Sequence, residues 1–147
     1  MSRYVVLDTG PLGILARRRP DPAVLSWTRQ LQATGARLVI PEIADYELRR
    51  ELLQANLTAS LQVLDRLSTV FDYLALTTEM MRMAAAMWAD VRRRGLPTAD
   101  IHALDGDVIL AAQARARSEG GHEVIVATTN LSHLTRLVPA QIWDMIR

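Results

Sequence analysis

The chain contains no cysteine, which excludes disulfide bridges and thiolate-bound zinc. It has no lysine either, because all seventeen of its basic residues are arginine. No apolar stretch approaches the roughly 20 residues that a membrane helix requires. The first residues run into an apolar strand rather than a secretory signal, so a soluble, cytoplasmic protein without membrane contact is expected. No glycine-rich phosphate loop of either common type is present, which leaves nucleotide hydrolysis and dinucleotide redox chemistry without support. Internal repeats, low-complexity stretches and interdomain linkers are missing too.

What is present is a chain of 147 residues, half of them apolar, enough for one domain spanning residues 1–147 around one core. Seventeen basic residues against sixteen acidic ones give a net charge of +1, which makes no basic footprint. The arginines nevertheless cluster, at Arg17-Arg18-Arg19, Arg49-Arg50 and Arg92-Arg93-Arg94. Their planar donor forks suit phosphate oxygens, while the plainer reading is a set of solvated helix faces.

The pattern alternates between strand and helix. Tyr4 to Asp8 reads as a buried parallel strand, and Pro11 opens a short helix. Pro22 to Ala33 reads as a helix, Arg37 to Pro41 as a strand, Glu42 to Ala55 and Thr58 to Thr69 as helices, and Asp72 to Leu76 as a third strand. Thr78 begins a long helix that ends in three arginines and Gly95, both favourable at a helix C-terminus. The segment from Gly95 to His102 reads as an irregular loop. A strongly apolar helix is expected from Gly106 to Ser118, buried on most sides, then a strand from Glu123 to Ala127 and a tail with a short edge strand. Such alternation predicts an α/β/α sandwich around a parallel sheet of four to five strands.

Four polar positions interrupt this pattern where buried elements meet loops. Asp8 ends the first strand, Glu47 follows the second, Asp107 opens the apolar helix with Asp105, and Asn130 follows the strand at Glu123. Each has an ordinary explanation. Asp8 can cap the helix after it, Glu47 can pair with Arg50 one turn on, Asp105 or Asp107 can cap the apolar helix, and Asn130 suits a turn. One cap is enough, however, so one of the two aspartates is left over. Jointly the four converge on the carboxyl end of one sheet, where open α/β sheets bind ligands. Carboxylates forced together need a cation, and oxygen donors without thiolate or imidazole suit Mg²⁺, with Mn²⁺ as a substitute.

The ordered set D-T-G-P-L at Asp8, Pro41 with Glu47 in E-L-R, D-V-I-L-A-A-Q-A at Asp107 and T-T-N-x-x-H-L at Asn130 resembles the PIN domain of VapC-type toxins, over essentially the whole chain. The resemblance implies a PIN-like α/β/α fold and a metal-dependent endoribonuclease. It also implies a VapB-type antitoxin partner in a type II toxin–antitoxin pair, and a homodimer. Carried over by position, Asp8, Glu47, Asp107 and Asn130 stand as catalytic candidates, with Asp8 and Asp107 as the metal ligands. Thr9 and Thr129 are candidate hydroxyls for orienting those carboxylates.

One departure is clear. Similar domains often carry a fourth acid at the place of Asn130 or three residues later, where this chain has His133. An amide oxygen can bind metal or orient water but adds no charge, which puts a second metal in doubt. Asp105 or Asp100 are the candidates to supply that charge, with helix capping the simpler role for Asp105. His102 and His133 read as loop and surface residues. The expected chemistry is hydrolysis of RNA phosphodiesters by in-line attack of water. Two other readings stay open: a PIN-like RNA- or protein-binding module without activity, and an aspartate-dependent phosphatase or receiver module. The second typically needs a lysine, which this chain lacks.

Overall fold

The computed structural model describes residues 2–96, 101–131 and 134–147, and of residues 101 and 102 only the backbone. Expectations placed on Asp100, His133, the side chain of His102 and the loop joining the two long helices lie outside the described residues.

Five parallel strands form one sheet in the order β3-β2-β1-β4-β5. They are β1 (Arg3–Leu7), β2 (Arg37–Pro41), β3 (Asp72–Leu74), β4 (Glu123–Thr128) and β5 (Ala140–Ile142). The described helices are α1 (Thr9–Leu15), α2 (Pro22–Ala33), α3 (Glu42–Gln54), α4 (Thr58–Val70), α5 (Thr78–Arg94) and α6 (Ile101–Arg117). None is long and apolar enough to cross a membrane among the described residues.

Alternation along the central strands sorts the core into two layers, since successive strand side chains point to opposite faces. Val5 and Leu7 of β1, with Leu38 and Ile40 of β2, pack with Leu12 of α1, Trp27 of α2, Leu48 of α3 and Leu64 of α4. Tyr4, Val6, Val39 and Val126 face the other way, against Met87 of α5 and Val108 and Ala111 of α6. The expected three-layer sandwich is therefore present, with the first four helices on one face and the last two on the other.

Local chemistry explains the element ends. Asp8 caps α1 by accepting the Thr9 N–H at 2.8 Å, so the helix begins at Thr9 rather than at Pro11. Pro11 still lies in the first turn, where its missing N–H costs no helical bond. Helix α3 has no side-chain cap of its own, and its orphan Ile43 N–H donates instead to Gln113 Oε1 of α6 at 3.2 Å. Strand β3 stops at Leu74, two residues short of the expected end, where its partner β2 ends at Pro41, and the Leu76 N–H is taken instead by Glu42 Oε1 at 2.7 Å. Helix α5 ends on Gly95 at φ 63°, a left-handed turn that suits glycine.

One expectation fails with consequence. Helix α6 starts at Ile101, not at Gly106, so Asp105 and Asp107 lie within it, beyond its first turn. Neither aspartate is its cap. Burial of Leu104 at 3 % exposure favours continuation of the helix through a glycine that on local propensity would mark its start.

Candidate functional site

The site lies at the carboxyl end of the sheet and draws on four elements. Strand β1 pairs in parallel with β4, Leu7 opposite Ala127, and the ladder runs one residue further through the Asp8 N–H to the Ala127 carbonyl at 2.9 Å. This register sets Asp8 beside Thr128. The Thr128 hydroxyl donates to Asp8 Oδ2 at 2.8 Å while Asp8 Oδ1 accepts the Thr9 N–H. Capping and site roles for Asp8 are therefore compatible, because a carboxylate has lone pairs enough on its two oxygens for both.

Glu47 projects from α3 toward the same corner. Its Oε1 accepts the Thr9 hydroxyl at 3.1 Å, and its Oε2 stands 4.0 Å from the Arg50 guanidinium, a loose contact at the limit of ion pairing. Burial pushes the Glu47 carboxyl above the ordinary range and the Asp8 charge adds to this, while the Thr9 hydrogen bond and Arg50 act against it. The surface pair with Arg50 thus exists, but Thr9 makes the closer contact.

Asp107 comes in from α6. Burial, then the charges of Asp8 and Glu47, push its carboxyl up to about 6. The three acids expected to meet are thus brought into one electrostatic neighbourhood from three separate elements.

The accessory positions divide differently from expectation. Thr9 bridges Asp8 and Glu47, through its N–H to one and its hydroxyl to the other. Thr129 is exposed and turns onto Gly10, where an added Cβ would meet its Oγ1, and no hydrogen bond from it to a carboxylate is present among the described residues. The hydroxyl on Asp8 belongs to Thr128, a residue missed in the sequence although buried at 1 % exposure. The parallel register of β1 and β4 is the signal that would have found it. Asn130 is exposed, and its N–H donates to Thr128 Oγ1 at 3.2 Å. Asp105 is exposed and lines an apolar groove between α5 and α6 with Met81, Trp88 and Ile109. Two residues along a helix turn by roughly 200°, so it cannot share the face of Asp107.

Among the described residues, no three acids or histidines form a ready-made cage for a metal ion. Mg²⁺ keeps several waters and commonly takes only one or two carboxylates. An Asp8 and Asp107 pair, with Glu47 held aside by Thr9, matches such a donor set.

Comparison with known proteins bears on the fold. Neither a protein-family model nor a curated protein matches the chain. Solved structures do. A chain in the crystal structure of VapBC2 from Rickettsia felis bound to a DNA fragment from their promoter matches with a TM-score of 0.74 at 15% identity, covering 94% of this chain and 97% of that one. A chain of DNA-bound VapBC from Salmonella typhimurium matches with a TM-score of 0.74 at 19% identity, over 97% and 99% of the two chains. FitAcB from Neisseria gonorrhoeae gives a TM-score of 0.69 at 20% identity, over 97% and 99%. The architecture is thus PIN-like, a five-stranded parallel sheet between helical layers.

Proposed function

We propose that this protein is a metal-dependent endoribonuclease and the toxin of a type II toxin–antitoxin pair. The observation that carries this reading is the meeting of Asp8, Glu47 and Asp107 from three separate elements, with burial first and then the Asp8 and Glu47 charges pushing the Asp107 carboxyl up to about 6. Carboxylates held together at that cost suit a divalent cation. The fold shared with chains of VapBC complexes supports the same reading.

Asp8 and Asp107 would hold Mg²⁺, or Mn²⁺ in its place. The cation supplies charge neutralisation at a phosphate oxygen and makes water more acidic. The remaining work falls to the chain. Thr128 and the Thr9 N–H hold both oxygens of Asp8 in place. Glu47 Oε1 is occupied by Thr9, which leaves Oε2 to take a proton from the attacking water, and burial raises the basicity that task needs. In-line attack leaves a 5′-phosphate and a 3′-hydroxyl. Arginines near the site, Arg50 among them, neutralise flanking phosphates without reading bases. Unstacked or looped RNA suits a crevice of this kind.

The antitoxin surface falls on α3 and α4. Tyr46 and Leu53 of α3 and Leu57, in the connection before α4, are 56%, 57% and 50% exposed. A VapB-type segment laid on this surface would cover the site. The same reading includes a homodimer and action in the cytoplasm, where the RNA is.

A binding module without activity is the second reading. Asn130 in place of an acid favours it. The phosphatase or receiver reading lacks its lysine.

Incubating cellular RNA with the native protein, Asp8→Ala and Asp107→Asn, with and without Mg²⁺, and mapping new 5′ ends tests the proposal. Cuts that need Mg²⁺ and vanish in both variants are expected. RNA binding without any cleavage would establish the second reading, and variants cutting at the native rate would refute the site.

A further inference from the structure

Gly106 stands inside α6 with ordinary negative-φ helical backbone, so no left-handed turn calls for a glycine there. A glycine within a helix weakens it relative to alanine. Something other than the helix must account for it. The space its missing side chain leaves is filled by Glu47: an added Cβ would lie 2.8 Å from Oε2, 3.4 Å from Cδ and 3.6 Å from Oε1 of that one carboxylate. No backbone atom of α3 is among these nearest neighbours, so the glycine is not required for the two helices to approach.

The carboxylate is pinned on its other side as well, through Oε1 and the Thr9 hydroxyl at 3.1 Å. It is therefore clamped between α1 and the bare backbone of α6, one residue from Asp107. A methyl group at position 106 would push Oε2 outward, and the Glu47 side chain would have to swing away from Thr9 to make room. Because the clashing atom is the end of a flexible side chain, that shift leaves the fold intact.

From this we infer that Gly106 is a positioning residue, acting through Glu47: its missing side chain seats the Glu47 carboxylate against α6 beside Asp107. The inference rests on the proposed role of Glu47 in the hydrolysis. It gives Gly106→Ala opposite effects on two quantities, because the helix gains while the reaction loses. A glycine kept only for packing would not separate them.

The test combines Gly106→Ala with Glu47→Asp and Glu47→Ala, singly and in pairs, measuring kcat and KM on RNA with Mg²⁺ and thermal unfolding without it. Gly106→Ala should keep or raise Tm, by up to roughly 3 °C. Its kcat should fall by roughly 10- to 100-fold, as for a misplaced reacting group, with KM unchanged. Glu47→Asp should cost less in the Gly106→Ala background than in the native one, since a carboxylate one methylene shorter fits in front of the methyl. Native kcat in Gly106→Ala, or losses that simply multiply, would overturn the inference. If the native protein cuts no RNA, the ribonuclease reading fails by itself, and the thermal data still decide the positioning. Gly106→Ala should then raise Tm more when Glu47 is alanine than when it is native, and an equal rise in both backgrounds would refute the contact.

Discussion

Thr128 at the end of β4 donates its hydroxyl hydrogen to Asp8 Oδ2 at the end of β1, at 2.8 Å, and accepts the Asn130 N–H with the same oxygen at 3.2 Å. One buried hydroxyl thus orients the acid at the centre of the site and shapes the turn that follows. Thr128→Val removes the hydroxyl and keeps the shape. The loss of stability should be about 1–2 kcal/mol, the cost of leaving a buried acceptor and a backbone donor short of a partner. Loss of metal affinity or activity should be larger, roughly 10- to 100-fold, as for groups that hold ligands in place. Titration calorimetry with Mg²⁺ and Mn²⁺ measures the first of these and RNA cleavage the second, with Thr128→Ser expected to restore both. Native metal affinity in the valine variant would remove Thr128 from the site.

Asp107 gives a pH dependence whose sign can be worked out. Burial first, then Asp8 and Glu47, push its folded-state carboxyl up to about 6, above an unfolded value of about 3.9. Below the unfolded value both states hold the proton and the penalty is absent. As pH rises from about 4 to 6 the unfolded chain ionises first, so stability falls, and above 6 the full penalty remains. Without metal, Asp107→Asn should therefore be more stable than the native protein at pH 7, on the order of 1 kcal/mol after discounting for partial solvent exposure. The two should converge near pH 3.5. Urea denaturation across this range measures it, and a difference that does not change with pH would contradict the crowding of charges.

Gln113 is fully buried and ties three elements together, accepting the Ile43 N–H of α3 at 3.2 Å and donating to the Leu74 carbonyl of β3 at 2.7 Å. Gln113→Leu would strand both backbone groups in the interior. A loss of about 2–4 kcal/mol is expected, from two unmet buried groups. Chemical denaturation of the metal-free protein checks it, and a loss below 1 kcal/mol would show that water or a rearranged helix replaces the amide.

Much of the fold was legible in local chemistry. Helices α2 and α5 and strand β2 have the bounds that proline, glycine and apolar spacing predict, because their ends are decided within a few residues: Pro22 opens one, Gly95 closes another, Pro41 ends the strand. Glycine misled at α6. Gly106 looks like a helix start by propensity, yet the helix runs through it, with Leu104 buried before it and the Glu47 carboxylate against it. No local pattern contains that contact, since Glu47 is on another helix. The short β3 also has a non-local cause, since its partner β2 ends at Pro41 opposite Leu74 and the Leu76 N–H goes to the Glu42 side chain.

The candidate site divides along the same line. Sequence order alone placed Asp8 at the end of an apolar strand and Glu47 and Asp107 on helical segments beside apolar stripes, because strand ends and periodicity are local properties. The ordered resemblance to VapC-type PIN domains then singled out these three acids. Tertiary structure decided the rest. The register of β1 on β4 chose Thr128 over Thr129, and the turn of α6 sent Asp105 to the opposite side from Asp107. The approach of α3 to α6 turned Gly106 into a seat for a carboxylate. Each of these depends on distances between segments far apart in the chain, which packing of the whole core sets and no single segment encodes.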